Sequence, residues 1–195
     1  YHGEVEIDVD CRAPFRRVEL HAVDLTLTDA AIRHDGQSSP ATLELHPERE
    51  TVVIVSPVEC SAKHATLKLA FAGRLRSDLR GLYRARSGSR SYAVSQLEAA
   101  DARRFFPCFD EPALKARFTL RVTTRRTHTV ISNMPVARCE HVGDDEQFVE
   151  LEPTPLLSTY LVALAVGELE CSAPVYAGDV PIRLVHVPGN AHLTA

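Results

Sequence analysis

Apolar and polar residues alternate with a period of two in several stretches of the chain. Val5, Ile7 and Val9 alternate with acidic residues, which is typical of a strand with one buried face and one solvated face. The pattern returns at residues 67–71 and 118–122. Further β-rich segments lie at residues 51–55, 128–132, 148–151 and 180–187, between clusters of Gly, Pro, Asp and Ser. These patterns predict an all-β fold, either a sandwich or an extended curved mixed sheet.

One apolar run does not alternate. Residues 160–166 are almost continuously apolar, and Gly167 follows them. The run predicts a strand covered on both faces, with a buried helix as the alternative that periodicity leaves open.

Short helical turns are expected in one part of the chain. Asp101 can cap a turn over residues 102–104 through its side chain. A second turn is expected near Asp110, where Glu111 and Lys115 stand four residues apart in the favourable order. The sequence therefore predicts one or two short helical turns within a β fold.

Length and charge limit the classes of partner. The chain has 195 residues, enough to bury a sizeable core, and without a linker-like tract it is expected to form a single domain over residues 1–195. Its net charge of -4 gives no overall attraction to nucleic acid or to anionic lipid. No apolar run approaches the roughly 18 residues that a membrane span requires. Neither nucleic acid nor a membrane is expected as a partner.

The cysteines bear on the compartment. Five of them are widely spaced without a C-x-x-C pair, which indicates neither a disulfide framework nor a thiolate zinc site. Five free thiols fit a reducing compartment. A cytoplasmic location is therefore the simplest interpretation, with removal of a leader before Tyr1 as the alternative.

Gln96 and Glu98 are the candidate binding residues. Two residues apart in an extended segment, they project to the same face, where an amide and a carboxylate can converge on a small cation. An ammonium group, such as the α-amine of a peptide, offers a positive charge and three donors to such a pair. From spacing alone, the solvated face of a strand is the commoner interpretation.

The residues around this pair carry a resemblance to a known family. From Gln96 to Phe118 the sequence reads Q-L-E-A-A-D-A-R-R-F-F-P-C-F-D-E-P-A-L-K-A-R-F. It resembles the signature of the N-terminal β-domain of zinc metalloaminopeptidases of the aminopeptidase N family. Ala100 stands where that family more often has Thr, and Phe105 where it often has a small residue. Residues 73–84, 131–136 and 154–167 resemble further family blocks in the same order, with Leu157 where Met is usual.

This resemblance implies a noncatalytic β-domain, a saddle-like sandwich whose edge forms one wall of an active-site cleft. Glu98 would bind the amino group of the substrate, and Gln96 would help to shape the pocket for the first side chain. The resemblance also predicts a cis peptide bond between Glu98 and Ala99. The implied partners are the N-termini of peptides and a catalytic domain in the same polypeptide.

Zinc is implied for the whole enzyme and not for this chain. In the family, an H-E-x-x-H helix and a G-x-M-E-N loop belong to the catalytic domain, and neither motif occurs here. We therefore expect this chain to bind no zinc and to be inactive alone, with its first strand clipped and the catalytic domain absent. The leading hypothesis is the N-terminal domain of a zinc aminopeptidase that removes N-terminal amino acids from peptides. The alternative is a scaffold or protein-interaction module from a catalytically inactive relative.

Three further features are expected to be structural. Six arginines between residues 74 and 90 suggest a solvated or salt-bridged surface more than a phosphate site. Cys108, between Pro107 and Phe109, is expected to be packed and not nucleophilic. The adjacent carboxylates of Asp110 and Glu111 are expected to cap a turn or to pair with nearby cations, namely Arg103, Arg104 or Lys115.

Overall fold

A computed structural model describes residues 1–194 and confirms the all-β prediction. Short 3-10 turns occur at Pro47–Arg49, Ala102–Arg104, Thr159–Leu161 and Ala191–Thr194. In the described part of the chain, no helix is long and apolar enough to cross a bilayer. The strands are β1 (His2–Asp10), β2 (Phe15–His21), β3 (Leu25–His34), β4 (Gln37–Pro40), β5 (Thr42–His46), β6 (Thr51–Cys60), β7 (His64–Gly73), β8 (Gly81–Ser87), β9 (Arg90–Gln96), β10 (Arg121–Arg125), β11 (Thr129–Ser132), β12 (Val136–Val142), β13 (Glu146–Leu151), β14 (Leu164–Gly167), β15 (Glu170–Cys171), β16 (Val175–Ala177), β17 (Val180–Ile182) and β18 (Val185–His186).

The first sandwich consists of two sheets, with strand orders β1-β7-β3-β4 and β2-β6-β5. Its core combines Ile32 and Leu67 from the first sheet with Leu20 and Ile54 from the second. All four side chains are fully buried. The alternation along β1 therefore has a simple cause: its apolar residues pack on this core, and its acidic residues face water.

The second sandwich pairs the sheet β11-β14-β9-β8 with the sheet β10-β13-β12. Leu82 and Val130 from one sheet meet Val149 from the other in its core. Every strand pair among residues 1–194 is antiparallel, so the fold is the expected sandwich and not the mixed sheet. A parallel contact occurs as an isolated bridge between Arg76 and Tyr83.

The prediction of one continuous buried strand at residues 160–166 is wrong. The run begins in the turn Thr159–Leu161 and becomes a strand only at β14, and Leu161 is 46% exposed. The cause is Asn133, which follows β11. Its Nδ2 donates to Leu161 O at 2.8 Å, and its Oδ1 accepts from Ala163 N at 2.7 Å. A side chain thus occupies the place of a neighbouring strand before β14 begins.

Two other predicted strands differ in their bounds. The strand expected at residues 118–122 begins at Arg121. Before it, the Phe118 carbonyl accepts a backbone hydrogen bond from the segment after β13, and the Leu120 carbonyl accepts one from the last residue of β13. The segment 180–187 is divided into the short strands β17 and β18, which pair with β16 and β15.

Candidate functional site

Gln96 and Glu98 lie where β9 leaves its sheet. Gln96 is the last residue of β9 and pairs with Gly81 of β8, the strand at the edge of the sheet. Leu97 is 2% exposed, whereas Gln96 and Glu98 on either side of it are exposed. The burial of Leu97 places its two polar neighbours on the solvent side, as their spacing predicts.

The carboxylate of Glu98 is free for an external ligand. Within residues 1–194, neither Glu98 nor Gln96 has a side-chain hydrogen bond or an ion pair. The peptide bond between Glu98 and Ala99 is cis, which confirms the prediction. The following turn closes on itself, because Asp101 N donates to Leu97 O at 2.9 Å.

A small core cluster fixes the segment from its inner side. Leu97 packs there with Ala102, Cys108 and Val162, all of them buried. The cluster joins the end of β9 to the turn Ala102–Arg104 and to the residues before β14. Glu98 is therefore an exposed side chain on a backbone whose opposite side is packed.

A buried ion pair holds the segment after the candidate site. Asp110 is 5% exposed, and its Oδ2 accepts from Arg103 Nε at 2.9 Å. Its Oδ1 accepts from Thr159 Oγ1 at 2.8 Å, and Arg103 also donates to Glu50 Oε2 at 2.9 Å. Burial opposes the charge of Arg103, but the hydrogen bond to Asp110 and the two carboxylate charges raise the pKa of the guanidinium. The predicted pairing of Asp110 with Arg103 is confirmed.

The neighbouring arginine corrects the prediction for Asp101. The turn Ala102–Arg104 is present, but the Asp101 side chain makes no capping hydrogen bond. Its Oδ1 instead accepts from Arg104 Nε at 2.9 Å, since an ionised guanidinium is a stronger partner than a backbone amide. Arg104 also donates to Asp24 Oδ2 at 2.5 Å, which ties the turn to the segment between β2 and β3.

The second predicted turn is also present, with a different partner for its acidic residue. Leu114 N donates to Glu111 O at 2.9 Å, which closes the turn. The Glu111 carboxylate lies 3.9 Å from His21 Nε2, so its charge is directed toward β2 and not toward Lys115.

Cys108 and His21 connect the site segment to the first sandwich. Their backbones exchange two hydrogen bonds, of 2.8 and 3.1 Å, and Asp110 N donates to His21 Nδ1 at 3.2 Å. Cys108 is buried, and burial followed by the charge of Asp110 raises the pKa of its thiol. The thiol therefore stays protonated and packed, as the sequence predicts.

Buried hydroxyls on residues 154–159 complete the support, and sequence reasoning assigned them no role. Thr154 Oγ1 accepts from Phe118 N at 3.0 Å and donates to Pro155 O at 2.8 Å. Ser158 Oγ donates to Pro112 O at 2.7 Å. The sequence signal for these hydroxyls was their position in T-P-L-L-S-T, part of a block that resembles the family, where polar residues interrupt an apolar run.

The basic stretch is salt-bridged at three of its arginines, one of them Arg80, whose Nε lies 3.8 Å from Asp101 Oδ2. Arg76 pairs with Asp24 at 2.8 Å and with Asp78 at 2.9 Å. Arg90 pairs with Glu168 at 2.6 Å. These pairs neutralise part of the positive charge between residues 74 and 90, in agreement with the structural interpretation.

The side chains that the structure describes are not arranged to hold zinc. Across residues 1–194, no group of three or more His, Cys, Asp or Glu side chains is placed to hold a metal ion. Structural and catalytic zinc sites need three or four such donors in one place. No chemistry is therefore assigned here to a metal on this chain.

Comparison with known proteins places this β-domain within a peptidase class. Residues 1–161 match the Peptidase M1 N-terminal domain. The chain therefore belongs to the Peptidase M1 N-terminal domain family, the N-terminal domain of aminopeptidase N family enzymes.

The similar proteins are named aminopeptidases. Aminopeptidase M1-C of Oryza sativa subsp. japonica is 39% identical over 86% of this chain and 19% of its own length. Aminopeptidase M1 of Arabidopsis thaliana is 36% identical over 98% of this chain and 23% of its own length. Aminopeptidase N of Acetobacter pasteurianus is 35% identical over 96% of this chain and 53% of its own length. The chain thus spans about a fifth of the length of the plant relatives it matches.

Proposed function

We propose that this chain is the substrate-anchoring domain of a zinc aminopeptidase, in which Glu98 binds the free α-amine of a peptide. Gln96 contributes to the wall of the pocket for the first side chain. One observation carries this proposal: the Glu98 carboxylate is exposed and unpaired within residues 1–194, on a backbone fixed from behind by Leu97. The names of the relatives support the reaction class.

The chemistry of anchoring follows from charge and position. An α-ammonium group presents three donors, and a carboxylate that faces it in a closed cleft forms a charge-assisted hydrogen bond. An amine held at a fixed point sets the distance from the chain terminus to the bond that is cleaved. Glu98 therefore selects free N-termini, and the Gln96 amide, which both donates and accepts, contacts the first residue.

The proposal divides the work between domains. A zinc ion held by another domain would supply an activated water for hydrolysis. The described residues hold no cluster of ligands for such an ion, and their part is to bind and orient the amine. The free state of all five cysteines supports a reducing, cytoplasmic location for the protein.

Substitution of Glu98 in the longer enzyme tests the proposal. Loss of one partner of a desolvated charge pair costs about 2 to 5 kcal/mol, so Glu98→Ala should lower kcat/KM on free-amine substrates roughly thirtyfold to several thousandfold. Glu98→Gln should be intermediate, because its amide oxygen still accepts a hydrogen bond without carrying a charge. An N-acetylated substrate, which lacks the charge, should change little.

Glu59→Ala is the matched control, since Glu59 is also exposed and without a partner within residues 1–194. It should leave kcat/KM unchanged, and zinc content should be the same in all variants. If Glu98→Ala kept wild-type kcat/KM on free-amine substrates, Glu98 would be an ordinary surface residue. The scaffold function would then be the better interpretation of this domain.

A further inference from the structure

Two chain crossings meet at one corner of the first sandwich. Residues 11–14 connect β1 to β2, and residues 61–63 connect β6 to β7. Both connections pass from one sheet to the other, because β1 and β7 are neighbours in one sheet and β2 and β6 in the other. The crossings are joined by a hydrogen bond of 2.8 Å from Cys11 N to Lys63 O.

A cysteine lies at the start of each crossing. Cys60 ends β6, pairs with Phe15 of β2 and is 0% exposed. Cys11 follows β1, is partly exposed and packs against the core cluster that contains Cys60. The Cys11 thiol makes a weak contact of 3.9 Å with Val9 O, and the nearby Cys60 helps to raise the pKa of Cys11. Residues far apart in the sequence therefore bring two cysteines to one core cluster, one of them within reach of solvent.

We propose that Cys11 and Cys60 form a reversible disulfide, a redox modification site that reacts with a low-molecular-weight disulfide such as oxidised glutathione. The Cys11 thiolate attacks one sulfur of the oxidant and releases the first glutathione thiol. The Cys60 thiolate then attacks the Cys11 sulfur of the mixed disulfide and releases the second. Two cysteine thiols are oxidised, one disulfide is reduced, and both protons end on the released thiols.

The order of the two steps follows from burial. Cys11 is the thiol that an oxidant can reach, whereas Cys60 is covered by the core and reacts only with its neighbour. Burial, followed by the nearby Cys60 and Asp10, raises the pKa of Cys11. Since the thiolate is the nucleophile, oxidation should be slow at neutral pH and should accelerate as pH rises.

The disulfide would lie beside the first residue of β2. That strand runs from Phe15 at this corner to His21, which bonds to Cys108 and Asp110 beside the candidate site. The redox pair and the support of the site thus occupy opposite ends of one strand.

Peptide mapping of the folded chain tests the inference. A Cys139→Ser, Cys171→Ser variant removes the exposed cysteines and leaves three thiols. After incubation with oxidised glutathione, free thiols are blocked with iodoacetamide, and the digest is analysed by mass spectrometry without reduction. We expect a peptide linking Cys11 to Cys60, a fall from three free thiols to one, faster formation at higher pH, and reversal by dithiothreitol.

Two single variants in that background separate the steps. Cys60→Ala should stop at one glutathione on Cys11, and Cys11→Ser should leave Cys60 unmodified. The inference would be overturned if wild-type Cys11 and Cys60 both stayed alkylatable at every glutathione ratio and pH at which the chain remains folded. It would equally be overturned if the linked peptide formed only between two chains or only after unfolding.

Discussion

Asp110 joins three elements that surround the candidate site. Its carboxylate binds Arg103 in the turn and Thr159 before β14, and its backbone amide binds His21 of β2. The Arg103 side chain is 12% exposed, so loss of the carboxylate leaves a mostly buried charge with Glu50 as its remaining ionic partner. The stability of the segment behind Glu98 therefore depends on this one acid.

Asp110→Ala should lower the free energy of unfolding by about 3 kcal/mol, because breaking a buried pair strands the partner charge. Glu111→Ala, at the exposed neighbouring acid, should change it by less than about 0.5 kcal/mol. Urea unfolding followed by far-UV circular dichroism measures both. A loss under about 1 kcal/mol for Asp110→Ala would mean that the pair of Asp110 and Arg103 stabilises the fold no more than a surface salt bridge does.

The sequence reveals only part of this network. Arg103 was predictable as a partner of Asp110, because the two lie seven positions apart in a turn-rich segment. Thr159 was not, because it lies 49 residues away and only the folded arrangement of the two segments brings it to Asp110. Local spacing predicts local pairs, whereas contacts between distant segments depend on strand register.

Gly81 lets β8 lie against the turn that follows the candidate site. It begins β8 with a φ of 63° and pairs with Gln96. A Cβ atom at this position would lie 2.6 Å from Arg104 Cβ. Glycine is thus required twice here, by the backbone conformation and by the close approach of the turn.

Gly81→Ala and Gly88→Ala form a matched pair, because Gly88 has a φ of 58° and nothing within 4 Å of an added Cβ. Both variants carry the cost of a left-handed alanine, about 1 to 2 kcal/mol. Gly81→Ala should lose a further 1 to 3 kcal/mol or so through overpacking against Arg104. Thermal and urea unfolding measure the difference, and equal losses would contradict the close approach.

Strand prediction succeeded along β1 and β7 and failed where a side chain takes the place of a neighbouring strand. β1 and β7 follow the period of two along their length. The run at residues 160–166 misled because Asn133 supplies the hydrogen bonds that a strand neighbour would have made. An apolar run therefore predicts neither the exposure of each residue, since Leu161 is 46% exposed, nor which group satisfies its backbone.

The whole molecule combines two sandwiches whose strands pair across long sequence separations. Residues 2–10 pair with residues 64–72, for example. The all-β class was predictable from the alternation of apolar and polar residues. The kind of domain was predictable only from the resemblance to a known family. The order of strands in each sheet was not predictable from local pattern, because antiparallel pairing between distant segments leaves no local signature.

This fold should form without metal, since its cores are apolar and no zinc site is present within residues 1–194. The isolated chain should show β-rich circular dichroism, hold no stoichiometric zinc after dialysis and leave aminoacyl anilides intact. Metal analysis by mass spectrometry checks the zinc content. One tightly held zinc per chain would contradict the assignment of the metal to another domain.

The interaction between Glu98 and a ligand's amine can be measured directly in the longer enzyme. Inhibition constants of an amino-acid amide and of its des-amino analogue, each for the wild type and for Glu98→Ala, form a double-mutant cycle. Amine anchoring predicts a coupling free energy of about 2 to 5 kcal/mol, with removal of the amine costing much in the wild type and little in Glu98→Ala. A coupling within about 0.5 kcal/mol of zero would contradict it, because the amine and the carboxylate would then act independently.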